Sequence, residues 1–137
     1  MNYTCNAFLF PKQYYDFVNA FKETALWASI DDKGIPLDDG KYDGYTWHKE
    51  ADRRIDNDCM KFFNMAYPII REDVCQAAHD FFLTRNGHGA GFWDGEWKFP
   101  FEESDIYIKD CGDFLTAATK KYGELHIYTY RRKFRID

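Results

Sequence analysis

The stretch Glu124–Asp137 reads ELHIYTYRRKFRID and decides the fold class. Aromatic and β-branched residues alternate along it, which is typical of β-strands. We predict a hairpin that turns near Arg131–Lys133, although neither glycine nor asparagine marks the turn. The segments upstream are mainly helical, so the helices come first and a small sheet follows. This order predicts an α+β domain.

Upstream of the hairpin, apolar residues recur at helical spacing. In Lys49–Tyr67 the apolar residues fall on one face, and Pro68 ends or bends the helix. In the last predicted helix, Asp113 is a candidate N-cap and Gly123 a candidate residue after the C-terminus. The predicted helices span Lys12–Ser29, Lys49–Tyr67, Arg71–Leu83 and Asp113–Tyr122.

Two other segments resemble strands, and a loop lies between the first two helices. Asn2–Phe10 is apolar and aromatic and stops at Pro11, which predicts an edge strand, and a short strand is expected around Ile106–Ile108. Ile30–His48 is a long loop, which predicts either ordering by its aromatic residues or a function. The predicted architecture is therefore three to four helices packed on a small antiparallel sheet formed by the C-terminal strands, with the N-terminal segment as a candidate further strand.

The composition limits the classes of protein. A chain of 137 residues predicts a single domain, 1–137, with a core that needs no disulfide or metal to hold it. The net charge is −5, which argues against binding nucleic acid through the whole surface, so we expect no direct nucleic-acid contact. We expect no signal peptide and no membrane span, because no apolar run approaches the ~20 residues that a span needs.

The segment that most strongly suggests a site is Ala78–Trp97, AHDFFLTRNGHGAGFWDGEW. A phenylalanine-rich helix runs there into a glycine-rich turn with aromatic and ionisable side chains, as in many binding loops. Glycines let a ligand or another backbone approach closely, and Arg85 and His88 lie beside N–H groups that could bind an anion. However, the turn follows the end of a helix, whereas a phosphate-binding loop precedes one. A structural turn and a binding loop both remain open.

Catalytic chemistry has little support in this sequence. His79 and Asp80 form an HD dipeptide, but the chain has only four histidines and no HExxH motif. The carboxylates of Asp94 and Glu96 are close in sequence, which does not fix their separation in space. We therefore expect no catalytic residues, no bound metal and no cofactor.

Three segments carry a resemblance to a known family. They are FKETALWASIDDKGIPLD (21–38), HDFFLTRNGHGAGFWDG (79–95) and LTAATKKYGELHIY (115–128). Together they resemble a family of small bacteriophage-encoded accessory proteins that carry an HDFWLTRNGHGAGFWD-like motif. The resemblance spans most of the chain from Phe17 to Tyr128, and it implies a phage source and a location in the host cytoplasm. The chain departs from the family pattern at its N-terminus, at Lys98–Asp110 and in its basic end, YRRKFRI.

Small phage accessory proteins often act by binding and blocking a host protein, so the resemblance implies a partner rather than a reaction. We expect a protein that binds, and inhibits, a host macromolecule such as a defence or nucleic-acid enzyme. Two alternatives stay open: a site for a nucleotide-like anion at the Arg85–Asp94 loop, and a structural phage component. The candidate binding residues are Arg85, Asn86, His88, Trp93, Asp94 and Trp97.

Overall fold

The computed structural model describes residues 5–87, 89–97 and 106–137, without the side chains of 106–110. Within these residues the chain forms five helices, two 3-10 turns and a three-stranded sheet, which confirms the α+β class. The helices are α1 (Asn6–Leu9), α2 (Pro11–Ala28), α3 (Lys49–Ile70), α4 (Val74–Arg85) and α5 (Ile106–Lys120). The 3-10 turns are Gly40–Tyr42 and Phe92–Asp94, and the strands are β1 (Thr46–Trp47), β2 (Ile127–Tyr130) and β3 (Lys133–Ile136).

Phenylalanines from three helices form the centre of the core. Phe17 and Phe21 come from α2, Phe62 from α3, and Phe81 and Phe82 from α4, and all five are fully buried. Phe62 stacks on Phe81 with 4.1 Å between ring centroids. Phe21 meets the rings of Phe81 and Phe82 edge-on. Each large ring removes much apolar surface from water, so these contacts are the main source of stability.

The sheet is mixed, which differs from the predicted antiparallel sheet. β2 and β3 form the predicted antiparallel hairpin, which turns at Arg131–Arg132. β1 lies parallel to β3, with Thr46 paired to Lys133 and Trp47 to Phe134. The strand order is β1-β3-β2, so β1 supplies the third strand, and residues 5–10 of the N-terminal segment do not. β1 was missed because a strand of two residues is too short to show an alternating pattern.

The N-terminal segment is helical from Asn6 onward rather than an edge strand, and residues 2–4 lie outside the described part. Its docking follows from Pro68, which lies inside α3 instead of ending it. Because proline has no N–H, the Asn64 carbonyl loses its partner in the helix. Asn6 Nδ2 donates to that carbonyl at 2.9 Å, and the Ala7 N–H donates to Asn64 Oδ1 at 2.9 Å.

The boundaries of the last two helices also differ from the predictions. α5 begins at Ile106, where a strand was predicted, and Asp113 lies inside it rather than at its N-cap. A short apolar run does not distinguish a strand from a helix segment, which explains the error. α4 begins only at Val74, because the Asp73 carboxylate caps it by accepting from the Gln76 N–H at 3.1 Å.

Candidate functional site

Arg85, at the C-terminus of α4, has a fully buried side chain. Its Nη2 donates to the Asp58 carboxylate at 2.9 Å, and its Nε donates to the Gly123 carbonyl at 2.9 Å. The Tyr122 carbonyl accepts a further bond at 3.2 Å. Burial lowers the pKa of the Arg85 guanidinium, and the nearby Asp58 opposes that shift. Arg85 therefore ties α4 to α3 and to the residues that follow α5, and it presents no charge at the surface.

Asn86 makes a paired contact with the backbone just before β2. Its Nδ2 donates to the Leu125 carbonyl at 2.9 Å, and its Oδ1 accepts from the Leu125 N–H at 2.9 Å. The side-chain amide thus imitates the two hydrogen bonds of a neighbouring strand. Asn86 positions the start of the hairpin, and its polar atoms are already engaged.

Two glycines of the loop are required because tryptophan rings fold back over them. A Cβ on Gly91 would lie 2.6 Å from the ring of Trp93, and a Cβ on Gly95 would lie 2.6 Å from Nε1 of Trp97. At Gly89, by contrast, a Cβ would meet no atom of the described residues within 4 Å. The glycine pattern therefore has a packing reason at two positions.

The backbone N–H groups of the loop are used within the protein. The Gly91 N–H donates to Asp94 Oδ2 at 3.2 Å, and the Phe92 N–H donates to Thr84 Oγ1 at 3.2 Å. Phe92 is fully buried, and its ring lies 5.7 Å from that of Phe62. The loop is thus closed onto α4 and the core, and these two donors are not available to an anion.

Trp93 and Asp94 are the predicted residues that the structure places at the surface. Trp93 is 46% exposed, whereas Trp97 is buried at 7%. Trp97 forms part of the wall of a cleft of about 270 Å³. The carboxylic acids in the lining of this acidic cleft are Glu72, Asp73 and Glu96. Glu72 and Asp73 follow α3, and no sequence pattern placed them beside Trp97.

The other predicted features do not form a second site. His88 lies outside the described residues. Asp80 is buried and accepts from Gln76 Nε2 at 2.9 Å, and His79 Nδ1 lies 3.1 Å from the Asp80 carboxylate. Among the described side chains, no group of three or more His, Cys, Asp or Glu could hold a metal ion. No described helix combines the length and the apolar character needed to cross a membrane.

Comparison with known proteins does not assign the chain to a family. A scan against models of protein families found no match, and searches of curated proteins and of solved structures found none either.

Proposed function

We propose that this chain is a bacteriophage accessory protein that binds a host protein through Trp93 and the acidic cleft, without catalysing a reaction. The observation that carries the proposal is the indole of Trp93, which is 46% exposed although the preceding residue, Phe92, is fully buried. A large ring held in one position is a favourable anchor, because little conformational entropy is lost on binding. The phage source is implied by the resemblance of segments 21–38, 79–95 and 115–128.

The carboxylates of the acidic cleft and of Asp94 favour a basic partner. Glu72, Asp73 and Glu96 lie in the acidic cleft, and the exposed Asp94 follows Trp93 directly. Such a surface attracts a basic patch and speeds the encounter with it. Enzymes that act on nucleic acids carry basic surfaces that hold phosphates. A host nuclease or another nucleic-acid enzyme of a defence system is therefore the partner class that fits, and covering its basic surface would inhibit it in the host cytoplasm.

The contacts weigh against the nucleotide-like anion at the Arg85–Asp94 loop. The guanidinium that would hold a phosphate is buried and bonded to Asp58 and two carbonyls. The Gly91 and Phe92 N–H groups donate to side chains of the protein. Nothing among the described contacts favours a structural phage component.

The test is a pull-down from host lysate with tagged protein, at low and high salt, read by mass spectrometry. We expect one dominant basic host protein that is retained at low salt and reduced at high salt, because charge attraction between exposed groups is screened. Trp93→Ala should abolish its capture, since loss of a central aromatic anchor costs about 2 kcal/mol or more of binding energy.

A matched control is available in Trp27, which is 44% exposed on α2 and has its ring 5.6 Å from that of His79. Trp27→Ala removes an indole of similar exposure and should leave capture unchanged. Both variants should keep the far-ultraviolet circular dichroism of the original protein. Equal loss of capture in the two variants, or none in Trp93→Ala, would contradict the proposed surface.

A further inference from the structure

The outward side of the β2–β3 hairpin carries rings and cations together. Tyr128 pairs with Arg135, and Tyr130 pairs with Lys133. Paired residues share one face of the sheet, and Phe134, the residue between Lys133 and Arg135, is buried on the other. Tyr128 is 39% exposed and Tyr130 is 55% exposed. The hairpin face is defined as Tyr128, Tyr130, Arg131, Lys133 and Arg135, whereas the guanidinium of Arg132 lies over the ring of Tyr45, 5.3 Å from its centroid.

Guanidinium groups flank the ring of Tyr130. The Cζ atoms of Arg131 and Arg135 each lie 5.3 Å from its centroid, and Arg135 Nε donates to the Tyr130 carbonyl at 3.2 Å. The neighbouring ring of Tyr128 is nearly parallel to that of His126, with 6.1 Å between centroids. A row of rings along β2 is thus bordered by fixed cations.

A cleft of about 220 Å³ continues this surface toward the start of α3. Tyr128 and Arg135 form one side of it, and Arg54 contributes a further guanidinium. Arg54 Nη1 donates to the carbonyl of Asp137 at 3.2 Å, and Glu50 is the carboxylic acid in the lining. In this cleft two guanidinium groups accompany one carboxylic acid, whereas Asp31 and Asp32 line a separate cleft that Tyr128 also borders.

The turn of the hairpin keeps its arginines in an unfavourable backbone conformation. Arg131 has φ 53° and Arg132 has φ 62°, the left-handed region that residues with a side chain rarely adopt. Two-residue hairpins with positive φ at both central positions strongly prefer Asn-Gly. Strain of this kind is typical of functional positions, which favours a role in binding for the exposed guanidinium of Arg131.

We propose that the hairpin face binds single-stranded nucleic acid. Bases would stack on the rings of Tyr128 and Tyr130, and phosphates would pair with the guanidinium groups of Arg131 and Arg135. The net charge of −5 averages over the whole chain, whereas the segment Arg131–Arg135 carries four cations in five residues. The inference is independent of Trp93, and it departs from the expectation that net charge alone suggested.

The exposed rings of Tyr128 and Tyr130 favour a nucleic acid over an acidic protein segment as the ligand. An acidic segment would also pair with arginines, but it has no bases to cover two exposed tyrosines. Duplex DNA hides its bases in the helix, so the rings favour unpaired strands.

The test is fluorescence anisotropy of labelled oligothymidine and oligouridine strands with the full chain. We expect binding that weakens about 50-fold between about 50 mM and about 200 mM salt if about four phosphates are neutralised. Tyr130→Ala should weaken binding about 10-fold through lost stacking. Arg135→Gln should reduce both the affinity and the salt dependence.

Controls separate this site from general attraction and from the proposed function. Tyr15, on α2, is 67% exposed, so Tyr15→Ala removes a comparable tyrosine and should leave the affinity unchanged. Trp93→Ala should also leave it unchanged, so the two proposals can fail separately. Absence of binding at low salt would overturn the inference. Equal competition by polyglutamate, together with no effect of Tyr130→Ala, would overturn it in favour of an acidic protein partner.

Discussion

The loop that follows α4 and the turn of the β2–β3 hairpin both carry arginine, but they place it in opposite environments. Arg85 is fully buried, bonded to Asp58 and to two carbonyls. Arg131 and Arg132 lie exposed at the end of a hairpin, in a left-handed backbone conformation. Hydrogen bonds within the fold hold Arg85 in place, whereas the backbone conformation of Arg131 and Arg132 lowers the stability of the fold.

This difference shows that a conspicuous motif and a binding surface need not coincide. In the loop after α4, most of the special residues that suggest a site are explained by internal contacts, and Trp93 with Asp94 is the part that remains at the surface. In the hairpin, a plain alternating pattern hides a face of rings and cations. Burial and backbone conformation separate the two cases, and residue type alone does not.

The largest expected effect comes from Arg85→Met. The variant fills most of the same space but leaves Asp58 and two carbonyls without their donor, so it should lower the free energy of unfolding by about 3 kcal/mol. Urea denaturation followed by circular dichroism measures this. Arg135→Gln on the hairpin face is the matched control and should change stability by less than about 0.5 kcal/mol. Equal small changes in both would mean that Arg85 is not a structural tie.

The sequence predicts contacts between neighbours in the chain better than contacts between distant residues, and this explains which of the two regions was predicted. The predicted helix ended at Leu83 and left Arg85 in a loop, whereas in the structure Arg85 lies on the buried face of α4, four residues after Phe81. Its partner Asp58 lies on another helix, and no local pattern connects the two. The hairpin was predicted from alternation, because its contacts are between neighbours in sequence. Its strain was not predictable, since a turn without glycine or asparagine gives no sign of positive φ.

Elements that depend on distant contacts were predicted incorrectly for the same reason. α1 docks on the Asn64 carbonyl, which has no donor within α3 because Pro68 lacks an N–H. The sequence of residues 2–10 gives no indication of this contact. β1 exists only because β3 lies beside it. In the candidate site, the turn at Glu72 and Asp73 meets Trp97 through the packing of α3 and α4, which periodicity does not specify.

A smaller effect is expected where a glycine of the loop is replaced. A Cβ at Gly91 would collide with the Thr84 side chain and the Trp93 ring, so Gly91→Ala should destabilise the protein by about 2 kcal/mol or displace the indole. Gly89→Ala, where a Cβ has room, should change stability by less than about 0.5 kcal/mol. Thermal unfolding and the tryptophan emission maximum report the two outcomes. Similar results for both alanines would mean that Trp93 is not held in place by the loop.

The smallest expected effect is a gain in stability, and it tests the strained turn of the hairpin. Replacing Arg131 by Asn and Arg132 by Gly supplies the residues that this turn prefers. Relief of strain at both positions outweighs the lost contacts of Arg131 with Tyr130 and of Arg132 with Tyr45, each 5.3 Å from Cζ to the ring centroid. The double variant should therefore be more stable by about 1 kcal/mol, measured by urea denaturation. It should bind oligothymidine more weakly, because two cations are gone.

A double lysine variant keeps both the charge and the strain, so it should match the original protein in stability and retain most of its affinity. A lower stability of the Asn-Gly variant would show that the turn is not strained. An unchanged affinity for oligothymidine would show that the two arginines do not contribute to binding.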